Sequence, residues 1–160
     1  MELKSIPLCI PEGANLIFGQ SHFIKTVEDL YEAIINTNPG MEFGIAFCEA
    51  SGDRLIRVEG NDAAMKAAAV ENALAVGAGH TFFVFLRKGF PIHILSRIKE
   101  VPEVVTLFCA TANPVQVIVA ESEQGRGVLG VIDGGSPVGV EGPEGVEWRQ
   151  GLLRKFGYKR

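Results

Sequence analysis

The stretch VGAGHTFFVFL, residues 76–86, decides the fold. After Thr81 its second half, Phe82-Phe83-Val84-Phe85-Leu86, is apolar at every position. A strand with one wet face alternates apolar and polar residues, so an unbroken apolar run needs cover on both faces of its sheet. Its first half places Gly77 and Gly79 where a helix must stop, because glycine adopts the left-handed conformation that closes the last turn. The expected local structure is a helix, a glycine turn carrying His80, and a buried central strand.

Upstream, the alanine-rich segment Ala63 to Val76 is strongly helical, with Asn61 or Asp62 available as its cap, and its small side chains permit close approach to a sheet. Before it, the apolar run Phe43 to Ala50, the turn Ser51-Gly52-Asp53 and the run Arg54 to Val58 read as a hairpin. The chain opens with a strand over Leu3 to Ile10 and an extended run Asn15 to Gln20, a hairpin-like start. A helix follows, with Thr26 and Asp29 in capping-box positions and Val27, Leu30, Tyr31, Ile34 and Ile35 at helical spacing, until Asn38-Pro39-Gly40. Downstream, Pro91 opens a short helix over Ile92 to Lys99 and Pro102 closes it. Strands then span Val104 to Ala110, Val115 to Glu121 and Val128 to Asp133, and Val146 to Phe156 forms a last helix. The expected fold is α/β, one domain over residues 1–160, with a mixed central sheet and helices on both faces, a three-layer sandwich.

With 160 residues, 47% of them hydrophobic, the chain has ample material for one core. A net charge of −4, with 15 Lys and Arg scattered until the terminal RKFGYKR, is not the footprint of a nucleic-acid binder. No apolar run approaches the roughly 20 residues of a membrane span, and no secretory leader stands at the N-terminus, so a cytoplasmic protein is expected. Cys9, Cys48 and Cys109 lack zinc spacing and are read as buried free thiols.

The letters GxGxxG occur at Gly125, Gly127 and Gly130. A dinucleotide-binding loop needs a helix behind them, but Val128-Leu129-Gly130-Val131-Ile132-Asp133 is β-branched and runs into Gly134-Gly135, so the Rossmann reading fails. The absence of GxxxxGK[ST] disfavours a P-loop enzyme. Glycines flanking Arg126 suit a phosphate instead, through backbone N–H groups and the guanidinium, and Glu121, Glu123 and Asp133 are carboxylates of the kind that hold magnesium beside phosphates. Glu123 is the expected metal ligand. A solvated hairpin tip is the plainer reading.

His80 is the preferred reactive group, since neutral imidazole is a good nucleophile or base and the flanking glycines admit a phosphate. Its plainer reading is the first residue of a strand. His22, in the polar loop GQSHFIKT, is read as bordering a pocket or simply solvated, and His93, after Pro91, as surface or half-buried. Strand ends collect ligands in open sheets, which singles out Gln20, Glu49 with Ser51, Asn113 in CATANP, and Glu121. Gln20, Ser51, Asn113, Glu121, Gly125 and Gly127 are the expected substrate contacts, with His80, Arg126 and Asp133 as the catalytic set.

In order along the chain, LIFGQSHFIKTVEDLYEA, GIAFCEASG, NALAVGAGHTFFVFL, PIHILSRIKEVPEVVTLFCATANPVQVIVAE, EQGRGVLGVIDGGSP and LLRKFGYK resemble the adenosine-specific kinase family over essentially the whole chain. The resemblance implies an α/β fold, a homo-oligomer built on trimers (a trimer or hexamer), binding of adenosine or AMP, and ATP-dependent phosphorylation of the nucleoside. It also implies a histidine able to carry a phosphoryl group, and this falls on His80. Two other readings stay open: an AMP- or adenosine-binding sensory module with little turnover, and an enzyme on another small substrate using Glu121, Glu123 and Asp133 as acid and base.

Overall fold

A computed structural model describes residues 1–160. The run Phe82 to Leu86 is fully buried and lies in β5 (Thr81–Arg87), the middle strand of a five-stranded antiparallel sheet. On one side of it stand β3 (Glu42–Cys48) and β4 (Ile56–Gly60), joined as the expected hairpin; on the other stand β2 (Asn15–Ser21) and β6 (Val104–Thr111). Alternation along β5 sorts its side chains between two cores. Phe82, Val84 and Leu86 meet Val27, Leu30 and Ile34 of α1 (Thr26–Thr37) and Ile98 of α3 (Leu95–Lys99). Phe83 and Phe85 meet Met65, Ala69, Ala73 and Val76 of α2 (Ala63–Val76). Burying these five side chains of β5 is worth on the order of 10 kcal/mol of transfer free energy.

The α2 layer is shared with a second sheet, β1 (Glu2–Pro7), β7 (Val115–Glu121) and β8 (Arg126–Asp133), in the order β1-β7-β8. Val115, Val117 and Val119 of β7 enter the same core as the alanines of α2. The α/β architecture with helices on both faces of a central sheet therefore holds. The expected mixed sheet is corrected: the strands form two sheets, and every strand pairing within them is antiparallel. The hairpin-like start is also corrected, because β1 pairs with β7 while β2 pairs with β5 and β6. β1 instead forms one edge of the second sheet, beside β7.

Local signals fare unevenly. Asp62 caps α2, its carboxylate accepting from Met65 N at 3.0 Å, and Gly77 ends the helix with φ 59°. Asn61 instead bridges into β3, accepting from Phe43 N and donating to Met41 O, both at 2.8 Å. The capping box at Thr26 does not form: the Thr26 hydroxyl turns back to Ser21 Oγ and Phe23 O, and Asp29 pairs with Lys25. The short helix after Pro91 is a 3₁₀ turn over Pro91–His93 that leads into α3. Cys48 is buried and Cys109 partly so; the expected burial of Cys9 is corrected, because β1 ends at Pro7 and Cys9 lies exposed in the segment after it. Burial raises the Cys48 thiol pKa and, with Asp133 nearby, pushes Cys109 up to about 12, so both stay protonated.

The last helix, α4 (Pro143–Lys155), buries none of its residues. No helix is long and apolar enough to cross a membrane.

α2 lies close against β3. A Cβ on Gly44 would stand 2.1 Å from Lys66 N and 2.3 Å from the carbonyl carbon of Met65, so helix backbone rests directly on strand backbone. Gly44→Ala is expected to cost about 2 kcal/mol or more in urea unfolding, by overpacking a site where only backbone can give way. Gly139→Ala, at an open position, should stay near the wild-type value. Equal stability of the two variants would show that α2 is not seated on Gly44.

Candidate functional site

His80 occupies the left-handed region, φ 61°, though it is not glycine. Such a residue carries roughly 1–3 kcal/mol of backbone strain and persists only where neighbours hold it. Two strand ends do so. His80 N donates to Cys48 O at 2.7 Å, and His80 O accepts from Ser21 N at 2.9 Å. Its half-buried ring lies on Phe47, with centroids 5.8 Å apart and planes at 25°. Backbone and ring are thus both fixed at the end of the central sheet.

Phe47 pairs across the hairpin with Arg57, which places the guanidinium on the same face of the sheet. Arg57 Nη2 donates to Glu49 Oε2 at 3.0 Å, and Leu55 N donates to the same oxygen at 3.1 Å. The Leu55 N–H and the Arg57 charge hold the Glu49 carboxyl below its ordinary pKa despite some desolvation. Gln20, next to last in β2, pairs with Thr81 and is half-buried. Ser51 lies exposed in the turn after Ala50, and Ala50 abuts Gly79.

The loop after β2 is held from below. His22 N donates to Glu103 O at 2.8 Å, and the buried Glu103 carboxyl sits beside Asp29 and Lys25, whose Nζ is 2.7 Å from Asp29 and 3.8 Å from Glu103. Burial, followed by the hydrogen bond with Asp29, raises the Glu103 pKa. Burial also acts to raise Asp29, but hydrogen bonds from Lys25 and Glu103 hold it below the ordinary value. Glu103 therefore keeps its proton to higher pH than Asp29 does.

Arg126 reaches this end of the molecule, but its guanidinium is already engaged. Nε donates to Glu121, and Nη1 donates to Ala75 O at 3.0 Å and Val76 O at 3.2 Å. These are carbonyls of the last turn of α2, where a cation is favoured by the helix dipole. Arg126 also bridges to Ala78 through the backbone, so it braces the turn that presents His80. Glu121 is shared between Lys4 and Arg126, whose hydrogen bonds hold its carboxyl below the ordinary range. Gly125 and Gly127 face open space, and Glu123 is exposed at the hairpin tip.

Asp133 does not join them. Its Oδ1 accepts from Thr111 Oγ1 at 2.8 Å and Asn113 Nδ2 at 3.1 Å. Arg126 and Asp133 are the first and last residues of β8, and seven residue steps along a strand span roughly 23 Å. The single constellation expected from the sequence is thus two within one chain. His80, Gln20, Ser51, Glu121, Arg126 and the glycines lie toward one end; Asn113 and Asp133 lie at the other. The reason is topological: both ends of β7 and β8 are hairpin or loop ends, and polarity alone does not say which end faces His80. Phe47 and Arg57 escaped notice, although the charged positions of the run Arg54 to Val58 were the available sign.

A family model described as adenosine specific kinase matches residues 6–159. The chain is also similar to the PH1918 protein from Pyrococcus horikoshii OT3, seen in a crystal structure, at 42% identity and a TM-score of 0.94, with 99% of this chain and 98% of that chain covered. No protein of curated function matches.

Two outcomes test this geometry. Arg126→Ala should leave the fold intact while hydrogen exchange at Ala78 to Thr81 accelerates by about tenfold or more, as the brace on the turn is lost; unchanged exchange would mean that Arg126 holds nothing there. Because its raised pKa makes ionised Glu103 a cost that is present above the folded pKa and absent below the unfolded value, Glu103→Gln should stabilise the protein at pH 7. That gain should vanish below about pH 4. A pH-independent difference in urea unfolding would contradict the assignment.

Proposed function

The chain belongs to the adenosine-specific kinase family, and we propose that it moves the terminal phosphoryl group of ATP to adenosine through a phosphohistidine at His80. The observation that carries the reading is the conformation of His80, strained, pinned at both backbone ends and stacked on Phe47. A ring held this way meets phosphorus without first giving up rotational freedom. In the first step an imidazole nitrogen attacks the γ-phosphorus, a P–N bond forms, the bond to the bridging oxygen breaks, and ADP leaves. In the second the adenosine 5′-hydroxyl attacks, the P–N bond breaks back to imidazole, and the hydroxyl proton passes to solvent, giving AMP. Gly79, next to the ring, is exposed, which leaves room for a phosphoryl group to approach the imidazole.

Arg126 serves here by positioning the turn, and Gln20 and Ser51 are the substrate contacts that share the His80 end. Glu123 stands alone at its hairpin tip, and no group of three or more His, Cys, Asp or Glu side chains comes together to hold a metal ion. The residues present therefore do not fit a dedicated magnesium site, and no step is assigned to one.

We also propose that the working form is a homo-oligomer. The chain exposes 9462 Å², about a fifth more than the roughly 7,800 Å² expected of a compact monomer of its mass. Much of the excess is apolar and C-terminal: Val138 and Val140 are fully exposed, and Trp148 and Phe156 are more than half exposed. Such surface is characteristic of an interface.

The test is incubation with γ-labelled ATP, with and without adenosine, for the wild type and for His80→Asn, which tolerates the left-handed backbone but removes the imidazole. The wild type should acquire acid-labile label and form labelled AMP, and the variant should do neither. AMP formation undiminished in the variant would remove His80 from the reaction. AMP binding without any transfer would favour the sensory module.

A further inference from the structure

Glu49 lies between two residues that touch the His80 turn. The carbonyl of Cys48 accepts from His80 N at 2.7 Å, and Ala50 abuts Gly79. The Glu49 side chain is also on the face that carries the His80 ring: it bonds Arg57, Arg57 stands across the hairpin from Phe47, and the ring stacks on Phe47. Its carboxylate therefore borders the space in front of the imidazole. We propose that Glu49 is the general base of the second step, an inference that rests on the kinase reading above and names the group that takes the 5′-hydroxyl proton before it reaches solvent.

The bonding leaves one oxygen for this task. Leu55 N and Arg57 Nη2 both donate to Oε2, at 3.1 Å and 3.0 Å. A carboxylate gripped through one oxygen is oriented, and the other keeps its acceptor sites. The side chain is 17% exposed, so Oε1 can meet a substrate without the group being loose in solvent. Leu55 N–H and Arg57 hold the carboxyl below its ordinary pKa, so it is ionised at neutral pH. A weak base suffices, because the entering oxygen gains little charge in a loose phosphoryl transfer. As adenosine O5′ bonds to phosphorus, the P–N bond breaks, its electron pair returns to the imidazole, and the O5′ hydrogen moves to Glu49 Oε1. The carboxylates singled out in the sequence are worse placed. Glu121 is held by both Lys4 and Arg126, Glu123 stands at its hairpin tip, and Asp133 lies at the other end of β8.

A comparison of two phosphoryl acceptors tests the assignment. Wild type and Glu49→Gln are incubated with γ-labelled ATP, freed of nucleotide, and mixed with adenosine or with ADP. Return of the phosphoryl group to ADP removes no proton, whereas transfer to adenosine does. Glu49→Gln, whose amide oxygen can still accept from Leu55 N and Arg57, should take label and return it to ADP at the wild-type rate. It should form AMP about a hundredfold more slowly or worse. Glu49→Asp keeps a carboxylate and should show the same selective loss to a smaller degree, so the test does not hang on the Gln variant folding. AMP formation at the wild-type rate in Glu49→Gln, or equal slowing with both acceptors, would overturn the assignment and leave the phosphohistidine standing. A wild type that takes no label would defeat the kinase reading and the base with it.

Discussion

The seating of α2 on the central sheet is the constraint on which the rest depends. Backbone meets backbone at Gly44, alanines line the contact, and the valines of β7 close the same core from the other side. A helix held that closely cannot slide, so the position of its last turn is fixed. His80 follows that turn by three residues, after Gly77 releases the helix in the left-handed conformation. Arg126 then ties the second sheet to the same carbonyls. The strain at His80 is thus borne by packing energy drawn from both sheets.

On the proposed mechanism, this arrangement accounts for a histidine, and not the glycine-flanked arginine, as the reactive element. Three of the five N–H donors of Arg126 are already bonded inside the protein, which leaves only its Nη2 for a phosphate. The imidazole has its backbone bonded and its ring stacked, yet its nitrogens carry no bond to protein atoms. Arg57, across the hairpin from Phe47, has a buried Nε with no hydrogen-bond partner.

Much of this was legible in the sequence. The buried strand Phe82 to Leu86 reads directly from its composition, because five apolar residues in a row have no solvent face. Gly77 as helix end and Asp62 as one of two caps follow from local chemistry alone. Pairing does not: β1 joins β7 more than a hundred residues away, and nothing in either strand names its partner. For the same reason Asp133 and Arg126 read as one site, since seven positions on a strand look close in sequence and stand far apart in space. Glu103 was invisible as a buried acid because Pro102-Glu103 has the composition of a surface turn; only its neighbours Asp29 and Lys25, brought by α1, reveal it.

The central claim is that His80 carries the phosphoryl group on the path to AMP, and kinetic competence tests it most directly. Protein incubated with ATP and freed of nucleotide should show a phosphoramidate resonance by phosphorus NMR, assigned to His80 by peptide mass spectrometry. On addition of adenosine that resonance should decay at least as fast as AMP forms at steady state, with one AMP made per phosphohistidine lost. A label on His80 that persists in the presence of adenosine, while AMP is made from fresh ATP, would contradict the account.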